Sequence, residues 1–246
     1  MNVFGRLALL YALVPVSFTI VGAAVGVFVP SMHRLRSHVL HLAAGVVFSV
    51  VAVELLPEIQ RRALVWDVVL GFALGIGTMF FVDRVLDRVR ARGEEKNASS
   101  GGVATSLFVA VGIDFLLDGL LLGVGFAASK RIGILLALAE AAEQLSVGLA
   151  LAGEMTKAGV ARARVLIAVS ALGSLVFVSA ALGATVLSDL AGGMMETVLS
   201  FGVAALLYLV TEELLREAHE ERETATGTAM FFAGFLAFLV IGMTLP

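Results

Sequence analysis

The stretch DFLLDGLLLGVGFAASKRIGILLALAEAAE, from Asp114 to Glu143, decides how the rest of the chain is read. Two apolar runs meet in it at the polar joint Ser129, Lys130 and Arg131. Each is long enough to cross a bilayer at roughly 20 residues per span. Each also carries acids well inside it, Asp114 and Asp118 in the first and Glu140 and Glu143 in the second. An ionised side chain at the centre of a membrane helix costs at least ~2.5 to 3.5 kcal/mol, so an acid there is first a functional-site hypothesis. Asp114 and Asp118 are four apart and Glu140 and Glu143 three apart, so each pair shares one face of its helix. Like charges at that spacing repel, more strongly away from water, and an empty site would take up protons or a cation. A divalent metal bridging the two pairs would neutralise them, and carboxylate oxygens suit Mg, Mn, Fe and, less exclusively, Zn. The plainer alternative is that the acids are protonated or bonded to hydroxyls such as those of Ser146 and Thr211, with no transported ion.

The composition around this stretch is that of a membrane protein. Of 246 residues, 59% are hydrophobic and 15% charged, against about 45 to 50% and about 25% in soluble domains. The apolar runs predict an all-α polytopic protein of eight transmembrane helices, near 7–29, 38–57, 66–86, 103–128, 132–153, 163–187, 196–216 and 227–245. They leave no room for a folded extramembrane domain, so function must sit within the bundle. The first run is too long for a signal-peptide core and lacks a clear cleavage site, which predicts a retained helix. Cysteine is absent, which removes disulfides and thiolate ligands, and no basic cluster points to nucleic acid. The 26 glycines fall largely within the spans, where small residues let helices approach closely. No internal sequence repeat stands out, which leaves a structural inverted repeat open.

Of the 17 Lys and Arg residues, 12 fall in the joints after the first, third, fifth and seventh spans and 5 on the opposite side. The positive-inside rule then places those joints in the cytoplasm and both termini outside. The polar segment RARGEEKNASSGG, 90–102, is expected to be a cytoplasmic linker that divides the bundle into three spans plus five. Pro57 is expected to end or kink the second span. Glu54, one turn inside that boundary, is a candidate entrance acid or a satisfied interfacial side chain. At the end of the seventh span, Glu213, Glu217, His219 and Glu220 are candidates for a metal exit site or for a solvated helix end. His33, His38 and His41 are expected at the surface or an interface.

With these residues in view, the chain resembles the ZIP family of divalent metal transporters over nearly all its length. AAGVVFSVVAVELLPE (43–58) is similar to the family's small-residue segment ending in LLPE, and DFLLDGLLLGVGFA (114–127) resembles its HNxPEG-type motif. AEAAEQLSVGLALA (139–152) is similar to the HExPEG-type motif, ALGATV (181–186) to a PLGA-like stretch, and GVAALLYLVTEELLREAHEE (202–221) to the family's seventh-span pattern. The resemblance puts Asp114 at a histidine position, Asp118 and Glu143 at the glutamates, Glu140 at the acid of the fifth span and Ala139 at its histidine or glutamine. Phe115 stands at the asparagine position, Leu117 and Ala142 at the prolines, and Ala180 where some members have an acid. With the prolines gone, Gly119 is expected to supply any local helix freedom alone.

The resemblance implies a carrier rather than an enzyme, moving Zn, Fe, Mn or Cd as substrate into the cytoplasm across the plasma, or inner cell, membrane, with no organic cofactor. It also implies a homodimer and sliding of one helix bundle against another. Asp114, Asp118 and Glu143 would form the core of the site, Glu140 a second-site ligand and Glu213 a further metal ligand. Carboxylates in place of imidazoles remove the ligands that favour zinc over harder ions. Two other classes remain in view: a metal-sensing scaffold of the same fold that does not transport, and an intramembrane protease. The protease needs two aspartates meeting from different helices, whereas Asp114 and Asp118 share one.

Overall fold

A backbone surrounded by lipid must satisfy its own polar groups, and a helix does so within a single segment. In the computed structural model, which describes residues 3–28, 33–95, 101–186, 190, 192–219 and 225–244, every regular element is helical. The first, α1, is Val3–Phe28. The second, α2, joins His33–Ser49, a π-helical segment Val50–Leu55 and Leu56–Arg62. Then come α3, Val65–Glu95; α4, Gly101–Ala128; α5, Lys130–Lys157; and α6, Arg162–Val186. The seventh, α7, joins Gly193–Tyr208, a second π-helical segment Leu209–Leu214 and Leu215–Ala218, and α8 is Ala225–Thr244. Among the described residues, 8 helices are long and apolar enough to cross a membrane. The chain is a polytopic all-α membrane protein.

Burial places the acid-bearing helices at the centre. In α5, 67% of the apolar window is buried, against 17% in α3 and in α8. Those two helices turn Leu70, Leu74, Phe80 and Phe81, and Phe232, Leu236 and Val240, outward.

The helices pair most closely as α1 with α5, α4 with α6, α3 with α7 and α2 with α8. Glycines mark these approaches, and they obey a fixed numerical relation. A Cβ on Gly75 of α3 would lie 2.7 Å from the Phe201 carbonyl oxygen of α7, and one on Gly234 of α8 2.3 Å from that of Leu42 in α2. Gly234 stands 159 residues after Gly75, and Phe201 stands 159 after Leu42. The π segments, Val50–Leu55 and Leu209–Leu214, are 159 apart as well. Each sits in the same motif, VAVELLPE at 51–58 and VTEELLRE at 210–217.

The other four helices repeat with offsets of their own. A Cβ on Gly148 of α5 would lie 2.2 Å from the Thr19 oxygen of α1, and one on Gly123 of α4 2.6 Å from the Ala180 oxygen of α6. Ala180 stands 161 residues after Thr19, and Gly148 stands 25 after Gly123. Helices α2 and α3 are therefore related to α7 and α8, and α1 and α4 to α6 and α5, a structural repeat that the sequence had left open. Spans two and seven are an odd number apart and run in opposite directions, so the repeat is inverted. Most repeated positions hold small or aliphatic residues, which any membrane helix shares, and this hides the relation.

Three local expectations change. Pro57 does not end the second span: it comes just after the π segment, whose wider turn shifts the carbonyls that the pyrrolidine ring would otherwise meet, and the helix runs on to Arg62. The stretch 90–102 is helical up to Glu95 and again from Gly101, because a charged helix end needs no apolar face once it is in water; 96–100 lie outside the described residues. Gly119 supplies no break. Helix α4 runs unbroken through it, and a Cβ there would meet the Ser179 hydroxyl and the Val176 carbonyl of α6, so this glycine serves close packing.

Capping fixes the ends of α5. The Ser129 hydroxyl accepts from the Ile132 amide at 3.1 Å, which makes that single residue the joint after α4. At the other end Gly159, at φ +80°, lets its own amide reach the Thr156 carbonyl and that of Val160 the Met155 carbonyl, each at 3.0 Å. Glu140 and Glu143 are thereby held at a fixed height in the bundle.

Candidate metal centre

Helices α4 and α5 lie side by side after the one-residue joint at Ser129, so the faces that carry their acids meet. Asp114, Asp118 and Glu143 each offer a carboxylate oxygen, and these atoms all lie within 4.8 Å of one another. Asp118 and Glu143 are buried, 4% and 2% exposed, and Asp114 is half-buried. At that separation two full charges repel by about 3.5 kcal/mol even at an effective dielectric constant of about 20. Three unneutralised carboxylates therefore cannot persist there, and the cluster must hold protons or a cation.

Asp114 and Asp118 open on a cavity of about 20 Å³, walled by Leu117, Leu120 and Leu121 of α4, Met79 of α3 and Phe201, Ala205 and Leu209 of α7. This is space for one water or an ion of similar size. Asp114 and Asp118 beside such a space, with a Glu143 oxygen within 4.8 Å of theirs, are a donor set for a hard or borderline divalent cation.

Glu140 stands apart from the triad. It is 3% exposed and both of its carboxylate oxygens are buried without a hydrogen-bond partner. It is near enough to Asp114 and Asp118 for its charge to act on them. The π segment of α7 brings Glu213, half-buried, within electrostatic reach of Asp118 and Glu143. Inserting one residue into a helical turn rotates every residue beyond it about the axis, and such bulges are frequent at functional sites.

Ser146 and Thr211 do not bond to the acids. The Ser146 hydroxyl is buried with no partner, and Thr211 donates to carbonyls of its own helix. The polar partner is Gln144, which sequence reading passed over. Its amide nitrogen donates to Asp118 Oδ2 at 2.6 Å, and its Oε1 accepts from Thr19 Oγ1 at 2.8 Å. Gln144 and Thr19 are fully buried. The available signal was their polarity inside apolar spans, where an amide or hydroxyl needs a partner as much as an acid does.

The remaining candidates lie elsewhere. Glu54, in the π segment of α2, pairs with Arg131 Nη2 of α5 at 2.8 Å, and the same nitrogen donates to the Gly242 carbonyl of α8 at 2.6 Å. Glu217 pairs with Arg36. His219 is exposed and lies edge-on to buried His41, with ring centroids 5.4 Å apart. The Nδ1 of His41 meets the Ser37 carbonyl at 2.8 Å. His38 is half-buried, while Glu220 and the side chain of His33 lie outside the described residues. No family model matches this sequence, and no curated protein matches it either.

Proposed function

We propose that the chain is a ZIP-like membrane transporter that carries a divalent cation, Zn, Fe or Mn, towards the cytoplasm through the site between α4 and α5. The observation that carries the reading is the triad itself: three acids from two adjacent membrane helices, within 4.8 Å of each other, two of which line an ion-sized space. The motifs at 43–58, 114–127, 139–152 and 202–221 support the family, the three-plus-five arrangement and a homodimer as parts of the same proposal. Asp114, Asp118 and Glu143 bind the cation, with Glu140 and Glu213 as further acids along its route. Each ligand must lose its proton before it binds, so cation binding releases protons.

The non-transporting scaffold keeps one observation in its favour: α4 and α5 run unbroken past the triad. Purified protein in liposomes separates the two. Influx of Mn, Fe, Zn or Cd above that of empty vesicles is expected, lost in Asp118→Ala and Glu143→Ala, and weakened when the loading side is acidified. Influx equal to empty vesicles for all four metals defeats the transporter reading and leaves the scaffold. Normal transport by both variants defeats the site.

A further inference from the structure

Gln144 adjoins the acid cluster without being part of it, and its geometry restricts what Asp118 can do. The Thr19 hydroxyl gives its one proton to Gln144 Oε1 at 2.8 Å and so favours this facing of the amide. The amide nitrogen is left pointing at Asp118 Oδ2, 2.6 Å away. When Asp118 is ionised, only this orientation fits, since a turned amide would set oxygen against oxygen. Asp118 is buried, so water offers it no alternative partner. One of its two oxygens thereby accepts from a neutral donor, which occupies a lone pair there and disfavours chelation of a cation by both oxygens.

That restriction bears on which cation fits. Calcium gathers 6 to 8 oxygens and often takes both from one carboxylate, whereas smaller divalent ions accept fewer ligands at shorter distances. We infer that Gln144 is a specificity-determining residue: held by Thr19, it disfavours two-oxygen coordination by Asp118 and so favours Mn-sized cations over calcium. This rests on the triad being a cation site, and it goes beyond that reading in naming what selects among cations.

The test compares Mn2+ and Ca2+ on purified wild-type, Gln144→Leu and Thr19→Val protein. Binding is measured at equilibrium in detergent, and flux in liposomes. A hydrogen bond to a charged group is strong enough that Gln144→Leu should raise the Ca2+-to-Mn2+ affinity ratio about tenfold. Thr19→Val, which leaves the amide held by Asp118 alone and so loosens it, should move the ratio the same way by a smaller factor. An unchanged ratio, or equal weakening of both ions, reduces Gln144 to a packing role and overturns the inference. Should Gln144→Leu fail to fold, the same ratio in Thr19→Val decides. If wild-type protein binds Mn2+ without moving it, the transporter reading falls while the ratio still tests Gln144; if it binds neither ion, both fall.

Discussion

At Glu143, a carboxylate is held in a bundle interior beside two others, and exchanging it for its amide isolates the consequence. Gln fills the same volume and cannot be charged, so Glu143→Gln removes repulsion from the metal-free protein while taking one oxygen ligand from the site. Its midpoint of thermal unfolding in detergent without metal should lie a few degrees above that of the wild type. If the triad binds Mn2+ as proposed, the ion at a hundred times its dissociation constant should stabilise the wild type by about 2.7 kcal/mol. The variant should lose that response. If Mn2+ raises both midpoints equally, Glu143 is not a ligand. The acids themselves were legible, because charge inside an apolar run is conspicuous. Gln144 was not: a neutral amide one residue after Glu143 reads as incidental until Thr19, more than a hundred residues earlier in the chain, is seen to hold it.

Among the helices, the number and order of the spans were readable because hydropathy alone sets them, while α2 runs five residues and α3 nine past the expected end. The two π segments were not, since nothing in VVAVEL or LVTEEL departs from ordinary helix composition. Pro57 pointed to a disturbance in α2 and misplaced its form, and α7 has Arg216 at the equivalent position with the same π turn. Glycine content announced close packing without saying which glycines pack. A Cβ on Gly45 of α2 would fall 1.9 Å from the Phe231 carbonyl oxygen of α8, whereas one on Gly77 of α3 has nothing within 4 Å. Gly45→Ala must force the helix pair apart at a cost of about 1 to 3 kcal/mol. Gly77→Ala should gain up to about 1 kcal/mol from helix propensity alone. Chemical denaturation of both variants in detergent checks this contrast. Equal effects would mean that the α2–α8 contact is looser than its geometry implies.

For the molecule as a whole, side-chain ties tend to stay within one of two groups that cut across the repeat, a central set of α1, α4, α5 and α6 and a peripheral set of α2, α3, α7 and α8. Thr19, Gln144 and Asp118 link α1, α5 and α4; Tyr208 donates to Asp83 between α7 and α3, and Arg36 holds Glu217 between α2 and α7. Arg131 crosses from α5 to Glu54 of α2 and to the carbonyl of Gly242 in α8. Glu54 occupies the place in the first repeat that Glu213 holds in the second. The two equivalent acids are thus used differently, one at the triad and one at an arginine, although the repeat gives them the same π-helical setting. If the central set moves against the peripheral one, the Arg131 bridge must open. Arg131 is 39% exposed and Glu54 14%, so solvent limits the bridge to about 1 kcal/mol, roughly a fivefold change in the ratio of two conformations. The chain has no cysteine, so Leu120→Cys, in the wall of the triad cavity, gives a unique label site. In vesicles, an impermeant maleimide applied from either face should modify that cysteine in a ratio that Arg131→Gln shifts by about that factor. A ratio that does not move would make the bridge a static brace, and the two sets of helices a single rigid body at this contact.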